Sequence, residues 1–200
     1  MKAIAVDVEP IPAAVLPTLW KLPDRGVVGM VSFIVAEAAI FTIFVVAYLF
    51  YLGKSLTGPT PRDVLEVPIF YTVCLLSSSV TIHAAGKRLD ESTTFLALWL
   101  VTIALGAVFL FGTWREWQRL IFEDGLTIST NLFGTTYYSL VGLHAFHVTL
   151  GLVMLSTVWL LSAAGGPRPQ SRRIGALSLY WHFVDVVWIV VFLVVYVIGS

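Results

Sequence analysis

Long apolar segments separated by short polar stretches dominate the pattern of this sequence. Because lipid offers no hydrogen-bond partner to an exposed backbone, crossing a bilayer core of about 30 Å takes roughly 20 apolar residues of helix. Five segments meet this requirement, at residues 27–52, 65–85, 94–117, 131–163 and 174–198. The pattern therefore predicts an all-α integral membrane bundle of five transmembrane helices.

The remaining stretches are too short to form a soluble domain. Residues 1–20 include Asp7, Glu9 and three prolines, so residues 1–26 lack the continuous apolar core of a cleavable signal peptide. We expect them to form an extramembrane lead-in to a transmembrane domain over residues 27–200. The sequence has no internal repeat, so a transporter built from duplicated halves has no support.

Composition agrees with a membrane protein and narrows its partners. Apolar residues make up 58% of the chain and charged residues 12%, against about 25% charged in soluble domains, and the mean hydropathy is +0.90. The 12 basic and 12 acidic residues cancel, so no basic excess is available to hold nucleic acid. The single cysteine, Cys74, lies in an apolar run and is interpreted as a packing residue.

The distribution of Lys and Arg predicts the orientation, because basic loops are retained on the cytoplasmic side. An amino terminus inside places eight basic residues on that side against four on the other. The inner group is Lys2, Lys21, Arg25, Lys87, Arg88, Arg168, Arg172 and Arg173, and the outer group is Lys54, Arg62, Arg115 and Arg119. We expect a cytoplasmic amino terminus and an external carboxyl terminus.

Ionisable side chains inside the predicted helices are the candidate functional residues, since burying one in lipid costs several kcal/mol unless it is paired. They are Glu37, His144, His147, His182 and Asp185. At about 1.5 Å of rise per residue, Glu37 and Asp185 each lie about 15 Å from the cytoplasmic end of their helices. A depth near the midplane also suits His147, so one buried polar cluster is geometrically possible.

Helical spacing suggests how these side chains pair. His144 and His147 share a helix face, and so do His182 and Asp185. We hypothesise that Glu37 bonds to His147 across a helix interface. For the two histidines of the fourth helix, interhelical bonding is favoured over lipid or proton-path roles and over metal or haem ligation. Asp185 is interpreted as a partner of His182 or as a helix-contact acceptor rather than a proton carrier.

Other polar and aromatic residues have simpler interpretations. His83, Lys87 and Arg88 lie together at the cytoplasmic end of the second helix, where an anionic lipid headgroup is a plausible neighbour. Two sets of aromatic residues fit the belts that anchor helices at membrane interfaces. The sets are Trp114, Trp117, Tyr137 and Tyr138 on the outer side, and Tyr180 and Trp181 on the inner side.

Several motifs resemble one family of membrane proteins. The string YWHFVDVVWIVVFLVVYVIGS at 180–200 resembles the carboxyl-terminal helix of cytochrome c oxidase subunit III, and ISTNLFGTTYYSLVGLHAFHVTLG at 128–151 and LEVP at 65–68 resemble other parts of it. The segment 33–48 is similar to the family's helix with a buried, carbodiimide-reactive glutamate, which would be Glu37. The resemblance runs from about residue 27 to 200 and matches the short five-helix bacterial form.

This resemblance implies a subunit without redox centres of its own in the bacterial plasma membrane. Its expected partners are the haem- and copper-bearing subunit I, subunit II and further small subunits, together with bound phospholipid. Four scattered histidines and one cysteine also fall short of the ligands that oxygen reduction needs. Quinol oxidases and nitric oxide reductase accessory proteins share the signatures and remain alternatives. A haem-binding, cytochrome b-like electron carrier is the rival from a different class.

Overall fold

The computed structural model describes residues 25–55, 57–165 and 170–199. Over these residues the chain is helical and contains no β-strand. The helices are α1 (Arg25–Tyr51), α2 (Pro61–Val64), α3 (Ile69–Gly86), α4 (Ser92–Phe122), α5 (Leu132–Ala163) and α6 (Ser171–Phe192), which continues with π-helical geometry over Leu193–Ile198. Five of the described helices are long and apolar enough to cross a membrane, as the pattern predicts. The predicted lead-in falls almost wholly outside the described residues.

Two predicted boundaries were wrong at the end of the bundle that carries α2. Helix α3 begins at Ile69 rather than at residue 65, because Pro68 disfavours a helical conformation at Val67 and supplies no backbone donor. Helix α4 continues to Phe122, past the predicted end at residue 117. Its last turns are stabilised by Arg119, whose Nη2 donates to the carbonyl of Val64 at 2.6 Å.

The five long helices form a bundle in which α6 has the most central position. Helix α6 packs against α1, α3 and α5, whereas α1 packs mainly against α5 and α6. Helix α4 lies between α3 and α5. The bundle therefore has α1 at one edge and α4 at the other. The polar side chains of the interior come together around α5 and α6.

Trp181 shows how closely the central helices approach one another. Its indole is fully buried, and its Nε1 donates to Ser78 Oγ at 2.8 Å. A Cβ atom added at Gly106 of α4 or Gly151 of α5 would lie 2.9 or 2.6 Å from the indole ring. Only glycine leaves room for the ring at these two points.

The inner aromatic belt was therefore a wrong interpretation for Trp181, and Tyr180 is also buried in the bundle. On the other side, Tyr137 is fully buried too, while Trp114 is exposed as a belt residue would be. Composition alone does not separate these cases, because an aromatic ring suits both an interface and a packed interior.

Candidate functional site in the membrane interior

Glu37 and His147 form an ion-pair contact between α1 and α5. The distance from His147 Nε2 to Glu37 Oε2 is 3.1 Å, and the two side chains are only 4% and 17% exposed. His147 Nδ1 lies 2.8 Å from the carbonyl oxygen of Leu143 in the preceding turn. Because a carbonyl only accepts, Nδ1 is the protonated nitrogen of this contact, and Nε2 is the nitrogen that faces the carboxyl group.

Helix α6 supports this pair from a third side. Tyr180 Oη donates to the backbone carbonyl of His147 at 2.9 Å. The ring of Phe41 lies 5.0 Å from the imidazole of His147 and screens it on the side of α1. The contact that the spacing suggested is therefore held by α1, α5 and α6 together, in apolar surroundings that strengthen a polar bond.

A second polar group joins α3 to α6 through Ser79. The Ser79 hydroxyl donates to Asp185 Oδ2 and lies 2.9 Å from His182 Nδ1. Since the hydroxyl has one hydrogen, donation to Asp185 leaves it to accept from His182 Nδ1–H. His182 and Asp185 thus meet through a serine rather than directly. Sequence reasoning missed Ser79, and its one available signal was the run of serines at 77–79 in an apolar helix.

His144 has a different environment from the other four candidates. Its side chain is fully buried, and neither ring nitrogen has a hydrogen-bond partner within the described part of the chain. The imidazole stacks on Trp188 at 5.0 Å and meets the ring of Phe109 edge-on at 5.7 Å. The five candidates therefore form two hydrogen-bonded groups and one histidine in an aromatic core, rather than one bonded cluster.

One further polar contact was not foreseen. Glu116 of α4 accepts from Tyr196 Oη at 3.0 and 2.9 Å on its two oxygens. Tyr137 Oη lies 3.5 Å from that hydroxyl. The π-helical segment carries Tyr196, so this bond ties the end of α6 to α4.

The residues expected to contact lipid headgroups lie at the carboxyl-terminal end of α3, away from α2. His83, Lys87 and Arg88 are all exposed there, as a headgroup contact requires. Arg88 Nη1 is also bonded to Glu91 at 2.9 Å. The His83 ring lies 6.5 Å from that of His182, which brings the exposed end of α3 near the Ser79 group.

The donor atoms do not fit a haem or zinc site. Within residues 25–55, 57–165 and 170–199, no three side chains of His, Cys, Asp or Glu gather closely enough to hold a metal ion. Both ring nitrogens of His147 already face polar partners, and His144 is enclosed by aromatic rings. A bis-histidine haem needs opposed, unengaged nitrogens with space between them. The polar atoms connect helices instead.

Comparison with known proteins decides the family. Residues 24–200 match the family profile described as "Cytochrome c oxidase subunit III". The chain belongs to that family. It is 39% identical to cytochrome c oxidase subunit 3 of Synechocystis over 88% of this chain and 77% of the relative. For cytochrome c oxidase subunit 3 of Bacillus subtilis the values are 34%, 86% and 85%.

The relatives also include a quinol-oxidising branch. The chain is 33% identical to subunit 3 of the cytochrome bo(3) ubiquinol oxidase of Pseudomonas aeruginosa, over 87% of this chain and 85% of the relative. Membership of the subunit III family makes the chain a non-catalytic, multi-pass membrane component of a haem-copper oxidase complex, an oxidoreductase.

Proposed function

We propose that this chain is subunit III of an aerobic cytochrome c oxidase that couples oxygen reduction to proton pumping, and that it stabilises subunit I and binds phospholipid. The observation that carries the proposal is the use of the buried polar atoms. Glu37 with His147, and Ser79 with His182 and Asp185, connect neighbouring helices. Buried polar side chains that connect helices are expected in a structural subunit rather than in a reaction centre.

The proposed partners are subunit I, which carries haem and copper, subunit II and further small subunits. A chain whose buried histidines are engaged or enclosed needs the redox cofactors elsewhere in the complex. The exposure of α1 supports contacts with other subunits, because most of its apolar side chains are not buried within this chain. Such side chains contact either lipid or another subunit.

The proposed location is the bacterial plasma membrane, with the amino terminus in the cytoplasm and the carboxyl terminus outside. The excess of Lys and Arg in the stretches that the sequence pattern assigns to one side of the membrane supports this orientation. His83, Lys87 and Arg88 then face the cytoplasmic headgroups. Two single-cysteine variants, Lys87→Cys and Lys54→Cys, test this orientation. A membrane-impermeant thiol reagent added to intact cells should label only the Lys54→Cys variant.

A quinol oxidase is the second candidate, favoured by the identity to the Pseudomonas relative. The deciding experiment tags this chain in its native membrane and purifies it in mild detergent. We expect a haem-copper subunit I, together with a copper-bearing subunit II, in the mass-spectrometric list of co-purifying proteins. Oxygen consumption with reduced cytochrome c supports the first candidate, whereas consumption with quinol alone supports the second. Recovery without a haem-copper subunit would contradict both.

A further inference from the structure

The end of α6 departs from the spacing that the rest of this helix follows. From Ile174 to Val195, one row of buried positions recurs at alternating intervals of three and four residues, the seven-residue repeat of a packed helix. The row is Ile174, Leu177, Trp181, Val184, Trp188, Val191 and Val195. Continued, this repeat would bury Ile198 and would turn Tyr196 outwards, like the exposed Ile189 one repeat earlier.

The structure has the opposite arrangement at this end. Ile198 is 58% exposed and Tyr196 only 2%, and the next buried position is Gly199. The cause is the π-helical geometry of Leu193–Ile198, because a π turn contains one residue more than an α turn. Each extra residue rotates the positions that follow it by about 100° around the helix axis. The inward face of α6 therefore changes at the π-helical segment.

A bond to α4 stabilises Tyr196 in its inward position. Its hydroxyl donates to the carboxyl group of Glu116, with oxygen–oxygen distances of 3.0 and 2.9 Å. Hydrogen bonds to carboxylates are among the stronger ones in proteins. An uninterrupted α-helix would carry the phenol away from Glu116. Because π-helices are rare, this bond is the contact that favours π geometry over the ordinary α geometry here.

The same rotation brings Gly199 against α1. A Cβ atom added at Gly199 would lie 2.5 Å from Tyr48 Oη, so only glycine leaves room for this close approach. The Tyr48 side chain is 1% exposed and lies near the end of α1. With α geometry, the branched side chain of Ile198 would take the place of Gly199 and would not fit. Contact between this end of α6 and Tyr48 therefore requires the π-helical segment.

Glu116 can also be reached from outside the bundle. It lines a cavity of about 710 Å³ between the first turn of α3 and the last turns of α4. The carboxyl group that holds Tyr196 is therefore open to groups that enter this cavity.

We propose that the end of α6 is a two-register element that transmits the state of Glu116 on α4 to α1 at the opposite edge of the bundle. While Tyr196 is bonded to Glu116, the end is π-helical and Gly199 contacts Tyr48. When that bond is lost, the end becomes α-helical, Ile198 turns towards α1 and the contact with Tyr48 opens. Coupling between distant sites needs such a two-state element, which both sites bias. The element lies wholly within this chain, so its failure would leave the proposed subunit role intact.

The test measures the register in the intact complex in nanodiscs, with Val197→Cys and Ile198→Cys introduced singly into a Cys74→Ser background. Both positions are more than half exposed in the π register. With α geometry, position 197 would stay exposed like Val190 one repeat earlier, whereas position 198 would turn inwards like Val191. A small thiol reagent alkylates the cysteines, and mass spectrometry of the peptides of this chain gives the ratio of the two rates.

Tyr196→Phe removes the hydroxyl and keeps the ring. Because the lost bond to a carboxylate should change the register equilibrium by about tenfold or more, the rate at position 198 relative to 197 should fall by about twofold or more. Hydrogen–deuterium exchange in the peptide that contains Tyr48 should become faster in the same variant. Glu116→Gln keeps an acceptor oxygen, so its effect on both measurements should be smaller.

Tyr138→Phe is the matched control, because it removes a neighbouring hydroxyl that donates to the carbonyl of Leu126. Both measurements should equal those of the unmodified complex. A rate ratio unchanged by Tyr196→Phe would overturn the two registers. A lowered ratio with unchanged exchange at Tyr48 would overturn the transmission to α1. Glu116→Ala removes the same bond from the side of α4 and decides the question if Tyr196→Phe assembles poorly.

Discussion

Helices α1 and α6 are similarly apolar, yet they occupy contrasting positions in the bundle. In the most apolar stretch of α1, 6% of the residues are buried within this chain, against 50% for α6 with its π-helical continuation. Lipid chains and protein interiors are equally apolar, so hydropathy does not distinguish a lipid-facing helix from a central one. The difference lies in specific contacts: α6 has Trp181, Asp185 and Tyr196 bonded to other helices, whereas α1 has Glu37.

The largest expected effect follows from truncating the centre of α6. Trp181→Ala removes a fully buried indole and leaves Ser78 without its donor, which should lower the free energy of unfolding by about 3–5 kcal/mol. Ile43→Ala is the control on α1, where the side chain is 67% exposed, and should cost less than about 1 kcal/mol. Thermal unfolding in detergent, followed by circular dichroism, compares the two. Equal losses would remove the distinction between the helices.

A smaller effect is expected at Asp185. Asp185→Leu deprives the Ser79 hydroxyl of its acceptor, which should cost about 1–2 kcal/mol and loosen the association of this chain with its complex. Asp185→Asn keeps an acceptor oxygen and should lose less. The measurements are the ratio of this chain to subunit I after purification and the turnover per haem of complexes that remain intact. Normal yield with abolished turnover would contradict a structural role.

The contact between α1 and the rest of the bundle should be weaker still. His147→Leu removes the partner of Glu37, and single interhelical bonds in membranes contribute about 0.6 kcal/mol on average. Infrared difference spectra should show a shifted Glu37 carboxyl band, because the carboxyl group loses its hydrogen-bond partner. Glu37→Gln identifies that band by abolishing it. An unchanged carboxyl band in His147→Leu would contradict the assigned bond.

The smallest effect concerns a residue outside both helices. The backbone N–H and hydroxyl of Thr60 donate to Asp63 at 3.0 and 2.6 Å and lower the pKa of its carboxyl group. A lowered pKa in the folded state stabilises the protein above the ordinary value of 3.8, and that contribution is lost as the pH falls through the folded pKa. Thr60→Ala should therefore raise the pKa of Asp63, measured by NMR, and leave the packing of α1 and α6 unchanged. A constant pKa would exclude the hydroxyl as its cause.

The number of helices could be predicted from sequence because length and apolarity alone meet the requirement of the bilayer. Depth along each helix also suggested the contact between Glu37 and His147. The start of α3 was misplaced although Pro68 marks it locally. The end of α4 could not be placed so well, since Arg119 near that end contacts the segment before α3. A terminal contact between distant segments leaves no periodic signal.

The partners of the buried groups were harder to predict than the groups themselves. Ser79 and Tyr196 are ordinary residues for a membrane helix, and only the packing of α3, α4 and α6 brings them to Asp185 and Glu116. His144 shows the converse case, because its spacing resembles that of His147 while its surroundings are aromatic. Spacing identifies a shared face, but the neighbouring helix decides what that face contacts.

The proposed role of this chain is to hold a haem-copper oxidase together while the redox chemistry takes place in other subunits. The most direct measurement compares the visible absorption and oxygen consumption of the isolated chain with those of the intact complex. We expect no haem absorption and no oxygen consumption from the isolated chain, and both from the complex. An isolated chain that bound haem and reduced oxygen would contradict the claim.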